Sequence, residues 1–370
     1  MEVRRIGSSR ADRRRFVSFP HRLYRDEPFW VPPMRSDEMR ALDRHHPFYR
    51  HSEAAFFVVE DEGEIVGRIG VFEHRPANEF HGSTAAFFGY FESVADPAVA
   101  GALTETAEVW ARDRGLDTLI GPKGLLPSDG HGILVDGFDH PAVLGVGYNH
   151  RYYDDLLHGV GFESAADYLS GQLDVSHEIP DQVFALADAA MAEGGYTLKT
   201  FTTKRQLRPW ILQLGRMYND AMSSNWEYVP VDEVEIEAMA QQLLPVADPR
   251  LIALLMHDDD VAGYLLIIPD ISDALRACRG RLLPLGWARV LREIRTTTRV
   301  NILAMGLVPE HRGVGANLII YSALARGAQQ HRFEGAEVVQ VETGNTPMMR
   351  NLETLGVPWT KRHRMYRRSL

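Results

Sequence analysis

The residues with the clearest chemical content are Arg312-Gly313-Val314-Gly315-Ala316-Asn317, which follow a strand-like run over 301–308 and open a helical run over 315–331. A strand that feeds a glycine turn into a helix is suited to holding an anion. The first-turn N–H groups of a helix lack intrahelical partners, and the helix dipole gives that end partial positive charge. Gly313 and Gly315 let a phosphate approach the backbone, and Arg312 adds a fixed charge. The same residues also suit a plain helix start in which the glycines relieve crowding. Both readings stand on the residues alone.

The elements around this turn fall into two similar blocks. In the first, a strand over 2–6 precedes a helix over 11–24, with Phe16, Phe19 and Leu23 at helical spacing and Pro28, Pro32 and Pro33 beyond its end. Strands over 54–60 and 65–72 flank Asp61-Glu62-Gly63-Glu64, which reads as a hairpin turn. A strand over 86–91, a helix over 98–114 and a strand over 117–120 follow. In the second block come a strand over 196–202, helices over 207–222 and 232–244, and a hairpin of 251–256 with 261–268. A helical region over 271–295, the strand, turn and helix of 301–331, a strand over 338–343, a short helix over 347–355 and a strand over 362–367 complete it. Asn149 and Asn345 each lead into a short helix that ends near Gly161-Phe162 or Gly356-Val357, at almost the same offset. Two copies of one architecture are expected, over 1–179 and 196–370, joined by a helical linker over 180–195.

The stretch 301–317 resembles motif A of the GNAT acyltransferase superfamily, written Q/R-x-x-G-x-G/A between a strand and a helix. Arg312 and Gly315 hold its defining positions, and Asn317 stands where Gly or Ala is usual. The resemblance implies an α/β (α+β) chain of two GNAT-like domains, each a mixed, mostly antiparallel sheet flanked by helices. It implies acetyl-CoA or another acyl-CoA as co-substrate, with Arg312, Gly313, Val314, Gly315, Ala316 and Asn317 at its pyrophosphate. The backbone of Met305, Leu307 and Val308 would then pair with the pantetheine arm. The strand over 338–343 resembles motif B, which makes Asn345 a cofactor contact. Where much of the family places a tyrosine acid, this chain has Leu352.

An amine acceptor is protonated near neutral pH, so transfer calls for a general base. Glu342 is the candidate: it lies in the strand beside the implied cleft, on the face of Gln340. A charged strand end facing water is the other reading of it. The loop 223–230 falls between two helices where this fold builds an acceptor pocket, with Asn225 as a hydrogen-bonding group and Trp226 and Tyr228 as walls. The first half lacks R-G-x-G. Its turn is Ser93-Val94-Ala95-Asp96-Pro97, ill suited to a diphosphate, so that copy is expected to be free of cofactor. Glu92 and the loop 127–132 read either as a substrate surface or as structure.

Composition narrows the partners. The formal charge of −10 over 370 residues, with no long basic block, argues against a nucleic acid. His45, His46 and His51 lack metal-ligand spacing, so no metal is expected. The single cysteine, Cys278, fits a reducing, cytoplasmic setting. No apolar run approaches the length of a membrane span, so no membrane partner is expected. The arginines at 362, 364, 367 and 368 read as a solvated strand end. An acyl-CoA-dependent N-acyltransferase acting on a small-molecule amine, with acetyl as the acyl group, is the leading expectation. The alternative is a catalytically degenerate coenzyme A-binding sensor or scaffold.

Overall fold

The computed structural model describes residues 1–174, 180–331 and 333–370. The chain begins with β1 (Glu2–Arg5), α1 (Arg10–Leu23), α2 (Arg35–Ala41), β2 (Glu53–Asp61), β3 (Glu64–Glu73), α3 (Arg75–His81) and β4 (Ala85–Ser93). It continues with α4 (Pro97–Arg112), β5 (Thr118–Gly121), β6 (Ile133–Asp136), α5 (Tyr153–Gly159), β7 (Glu163–Asp174), α6 (Asp181–Gly194) and β8 (Tyr196–Thr200). Next are α7 (Lys204–Leu207), α8 (Ile211–Met222), α9 (Glu233–Leu243), β9 (Ile252–His257), β10 (Asp260–Pro269), α10 (Ser272–Cys278) and α11 (Gly286–Thr296). The last are β11 (Arg299–Leu307), α12 (Ala316–His331), β12 (Gly335–Glu342), α13 (Thr346–Thr354) and β13 (Trp359–Ser369).

Two compact units result, and neither is a contiguous half of the chain. One comprises Met1–Leu169, Ser272–Trp287 and Thr360–Leu370; the other comprises Ser170–Ile271 and Ala288–Trp359. The expected boundary at residue 179 lies outside the described residues. Residues 180–195, read as a linker, supply α6, whose Ala187 is fully buried in the core of the second unit.

In the first unit the strands run β1-β2-β3-β4-β5-β13, with β6 also paired to β13. All these pairs are antiparallel except β4 with β5. Residues 54–59 of β2 are all buried, which explains an unbroken apolar run where one-sided burial would give alternation. On α4, Val99, Leu103, Ala107 and Trp110 recur at helical spacing and pack against Phe88, Phe91 and Leu119. Among the arginines of β13, Arg362 and Arg367 are exposed as a solvated strand end would be, while Arg364 and Arg368 are partly buried in ion pairs. Arg364 makes a two-pronged pair with Asp167 at 2.8 and 3.0 Å, Arg362 reaches the same carboxylate at 3.1 Å, and Arg368 pairs with Glu108 at 2.6 Å.

The second unit orders its strands β12-β11-β10-β9-β8, antiparallel except β11 with β12. Leu265, Ile267, Met305 and Leu307 join the core formed with α6 and α12. A register shift at Leu266/Ile267 leaves Leu303 unpaired, a bulge of the kind that re-aims the strand beyond it. Gly306 sits so close to α8 that a Cβ there would lie 2.5 Å from the Ala221 Cβ. Gly306→Val should therefore destabilise the protein by about 1–3 kcal/mol through overpacking, read as a lower melting temperature. Among the described residues, no helix is long and apolar enough to cross a membrane.

Candidate functional site

Beyond Leu307 the chain makes a short turn over Pro309–His311, then passes through Gly313 at φ 76° and Gly315 at φ 84° into α12. Nothing lies within 4 Å of where a Cβ on Gly313 would be, so the positive φ, not crowding, is what calls for glycine there. Val314 is 58% exposed at the tip of this turn, leaving the N-terminus of α12 accessible. Arg312 is tied into the fold: its Nε donates to the Leu307 carbonyl at 3.1 Å and its Nη2 to the Asp220 carbonyl at 3.2 Å. Its charge stays at the turn while its side chain anchors the turn to β11 and α8.

Hydrogen-bonded pairing of β11 with β12 runs from Arg299↔Gly335 to Ile302↔Val338 and stops. From there to Leu307 and Glu342 the two strands have no common ladder, and Gln340 takes a left-handed φ of 45° in the departing one. A slot thus opens between two strands directly before the glycine turn. Unpaired strand backbone beside a cluster of helix N–H groups suits an extended, amide-containing ligand that ends in phosphates.

Several residues singled out from sequence converge at the end of β12. Glu342 is 7% exposed, and its Oε2 accepts the Trp226 N–H at 2.8 Å. Burial pushes this carboxyl above the ordinary glutamate range, and the Trp226 N–H opposes that shift. Asn345 caps α13 by accepting the Met348 N–H at 3.2 Å, and its Nδ2 donates to Asn225 Oδ1 at 2.9 Å. The 223–228 loop is therefore stitched to β12 and α13 by two side-chain bonds. Tyr228 is buried rather than lining an open wall, and its phenol is pushed up to about 12 by burial. Leu352 is a packed core residue, 2% exposed.

Sequence reasoning missed two tyrosines here. Tyr321, buried on α12, has its hydroxyl bonded by Asn317 and Asn351, and burial pushes its phenol up to about 12. Asn317 is thus a side-chain partner of Tyr321 on its own helix, and Asn351 reaches the same hydroxyl from α13. Tyr264 on β10 is 2% exposed, and its hydroxyl has no hydrogen-bond partner among the described residues. A lone tyrosine in an apolar run gives no sequence signal for either role.

Tyr264 faces a cavity bounded by α8, α9 and the sheet, whose lining includes Leu214, Ile236, Ala240, Leu243, Leu266 and Ala304. The cavity volume is ≈ 120 Å³, below the usual size range of small-molecule pockets. No charged side chain lines it. Both ends of the helix pair are fastened. Asn219 exchanges two 3.0 Å bonds with the Val231 backbone, and Lys204 Nζ donates to the Leu244 and Pro245 carbonyls at 2.5 and 3.1 Å. The helices approach closely at Gly215, where a Cβ would lie 2.3 Å from Ile236, and the space remains beside that crossing.

In the first unit the turn after β4 is closed to an anion, because the Asp96 side chain itself accepts the Ala98 N–H at 2.8 Å. Glu92 is drawn into the interior rather than onto a substrate surface. It accepts from Tyr153 at 2.8 Å and from Tyr24, and lies 3.7 Å from Arg68, which also pairs with Glu38 at 3.1 Å.

These features define the class of fold: the chain has the GNAT acyltransferase fold in tandem arrangement. A tandem GNAT protein from the clavulanic acid biosynthesis pathway superposes with a TM-score of 0.58 at 15% identity, covering 100% of this chain and 98% of its own. Two curated proteins are similar in sequence over nearly the whole length. The bacterial ceramide synthase of Caulobacter vibrioides is 28% identical over 97% of this chain and 95% of its own. Protein YghO of Escherichia coli is 26% identical over 97% of this chain and 93% of its own. No protein-family model matches the chain.

Proposed function

We propose that this protein is an acyl-CoA-dependent N-acyltransferase whose amine acceptor carries a long hydrocarbon chain. The observation that carries the reading is the parting of β11 and β12 beside the glycine turn, with the buried Glu342 at the end of the slot. Gly313, Val314, Gly315, Ala316 and Asn317 would hold the pyrophosphate through backbone N–H groups, Arg312 would position that turn, and Met305, Leu307 and Val308 would run beside the pantetheine. Acyl-CoA would supply the activated thioester, its C–S bond breaking as the amide C–N bond forms and coenzyme A leaving as the thiolate. Glu342 takes the proton that the acceptor nitrogen must lose, on the oxygen not held by Trp226. Asn345 and Asn225 fix the loop that closes over it.

Two observations support a long-chain member of the small-molecule amines expected from sequence. The cavity under α8 and α9 is lined by apolar side chains, and a full-length relative is named for ceramide synthesis, the formation of an amide from a long-chain amine. The Tyr264 hydroxyl supplies one polar contact, matched to an oxygen on the chain. Coenzyme A binding without transfer, as a sensor or scaffold, is favoured by one observation, the apolar Leu352 where the family's acid stands. Thiol release from acyl-CoA separates the two, tested on linear amines and 2-amino-1,3-diols of increasing chain length. Turnover that strengthens with length supports transfer to a lipid amine; silence across acyl and amine lengths, with acyl-CoA still bound, leaves the sensor.

Ala240→Trp, which fills the cavity from α9, gives a sharper readout. In the wild type each added methylene should lower the KM of the amine about fourfold, from about 0.8 kcal/mol per buried CH₂. In the variant that dependence should flatten, with the KM of the shortest amines unchanged.

A further inference from the structure

The exposed large apolar side chains of this protein are mostly scattered, but Leu283, Leu285, Trp287 and Leu291 fall within one short stretch and are 80, 71, 50 and 42% exposed. The stretch is ordered on itself: the Trp287 N–H donates to the Leu282 carbonyl at 2.8 Å, and its indole Nε1 donates to the Pro284 carbonyl at 2.9 Å. These side chains are held outward rather than left loose. Exposed clusters of this kind mark contact surfaces, since a monomer gains nothing by wetting them.

Charge identifies the partner. Arg279, Arg281, Arg289, Arg292 and Arg295 are interspersed with these side chains along the chain and are all exposed, with Glu293 the one acid between residues 279 and 295. A strongly basic stretch in a chain of formal charge −10 is complementary to an anionic surface. On α11, Trp287, Leu291 and Ile294 follow helical spacing, with Arg295 beside this stripe and Arg289 and Arg292 on the far side of the helix. Leucines and a tryptophan beside arginines, on a short helix and the loop before it, are what an element lying in the headgroup region of a bilayer presents.

We infer that residues 279–295 dock this protein on an anionic lipid bilayer, with Leu283, Leu285 and Trp287 inserted and the arginines at the headgroups. This surface lies outside the proposed transfer site, and binding can be read without any turnover. It also gives the chain a membrane partner that its composition alone argues against.

The test is cosedimentation of the full chain with vesicles of phosphatidylglycerol mixed with phosphatidylcholine, beside vesicles of phosphatidylcholine alone. The wild type should partition onto the anionic vesicles and release as salt is raised. Leu283→Glu combined with Leu285→Glu should lower partitioning at least about tenfold, since two inserted apolar side chains are lost and two charges repelled by anionic headgroups are gained. Arg281→Glu with Arg292→Glu should remove the preference for anionic vesicles. All four positions are exposed, so melting temperatures should hold, and Trp287→Ala provides a second apolar variant that adds no charge. The inference is overturned if the wild type stays in the supernatant, or if the leucine variant sediments equally. It is also overturned if the wild type forms a concentration-dependent dimer that the leucine variant disperses while vesicle binding is absent.

Discussion

Glu342→Gln should leave acyl-CoA affinity within about twofold of the wild type while turnover falls about 10²–10⁴-fold, the usual contribution of a general base. The substitution isolates the proton-accepting role. Glutamine keeps the side-chain shape and an oxygen that can accept the Trp226 N–H, so the 223–228 loop should hold its place. A purely structural glutamate would behave differently: one in a buried network would lower the melting temperature along with activity. The pH profile gives a second readout. Burial raises the Glu342 carboxyl, and the base works only when ionised, so kcat/KM should rise with pH through a value above the ordinary glutamate range. The glutamine variant should lack that acidic limb.

Arg68→Met should cost about 3–5 kcal/mol of folding stability, the typical result of removing one partner from a buried ionic cluster. Arg68 is 3% exposed, pairs with Glu38, lies near Glu92, and donates to the Phe16 carbonyl at 3.1 Å. Methionine fills the space and leaves two carboxylates without their cation. Burial already raises both carboxyls, and Arg68 opposes the rise. Without it their folded-state values move further above the unfolded ones. A raised group gives its stabilisation fully below the unfolded value and loses it as pH rises through the folded one. The deficit of the variant should therefore shrink on acidification, as measured by urea unfolding at neutral and mildly acidic pH. An equal deficit at both would contradict the cluster's role.

What could be read from the sequence followed from local pattern. The helix α1 and both hairpins show in the spacing of Phe16, Phe19 and Leu23 and in the polar turns between apolar runs. By contrast β7 was not legible, because Ser170 and Gly171 are buried there without being apolar; a Cβ on Gly171 would lie 2.5 Å from Val357. Likewise α2 buries Glu38, a charge that local pattern assigns to solvent until Arg68 is known to face it. The helical region over 271–295 divides into α10 and α11.

The site divides along the same line. The Arg312 turn, Glu342 and Asn345 announce themselves because a short motif fixes their neighbours in sequence. Contact between Trp226 and Glu342 depends on how α8 delivers its following loop to β12, across a separation no motif spans. The cavity at Tyr264 is less legible still. It lies between two amphipathic helices fastened at both ends and in close contact at Gly215, and amphipathic spacing alone predicts a filled interface.

Binding of acyl-CoA at the Gly313/Gly315 turn is measured most directly by isothermal titration of the purified full chain with acyl-CoA of several chain lengths. Two variants run beside the wild type: Gly315→Glu, which brings charge and bulk to the helix N-terminus, and Val314→Glu, which adds charge at an exposed position without asking for a positive φ. The expected result is saturable binding by the wild type and a loss of at least about tenfold in Val314→Glu at unchanged melting temperature, from an anion set beside the pyrophosphate. Gly315→Glu should abolish binding. A wild type that gives no heat with any acyl length, or a Val314→Glu variant that binds as the wild type does, would contradict acyl-CoA binding at this turn.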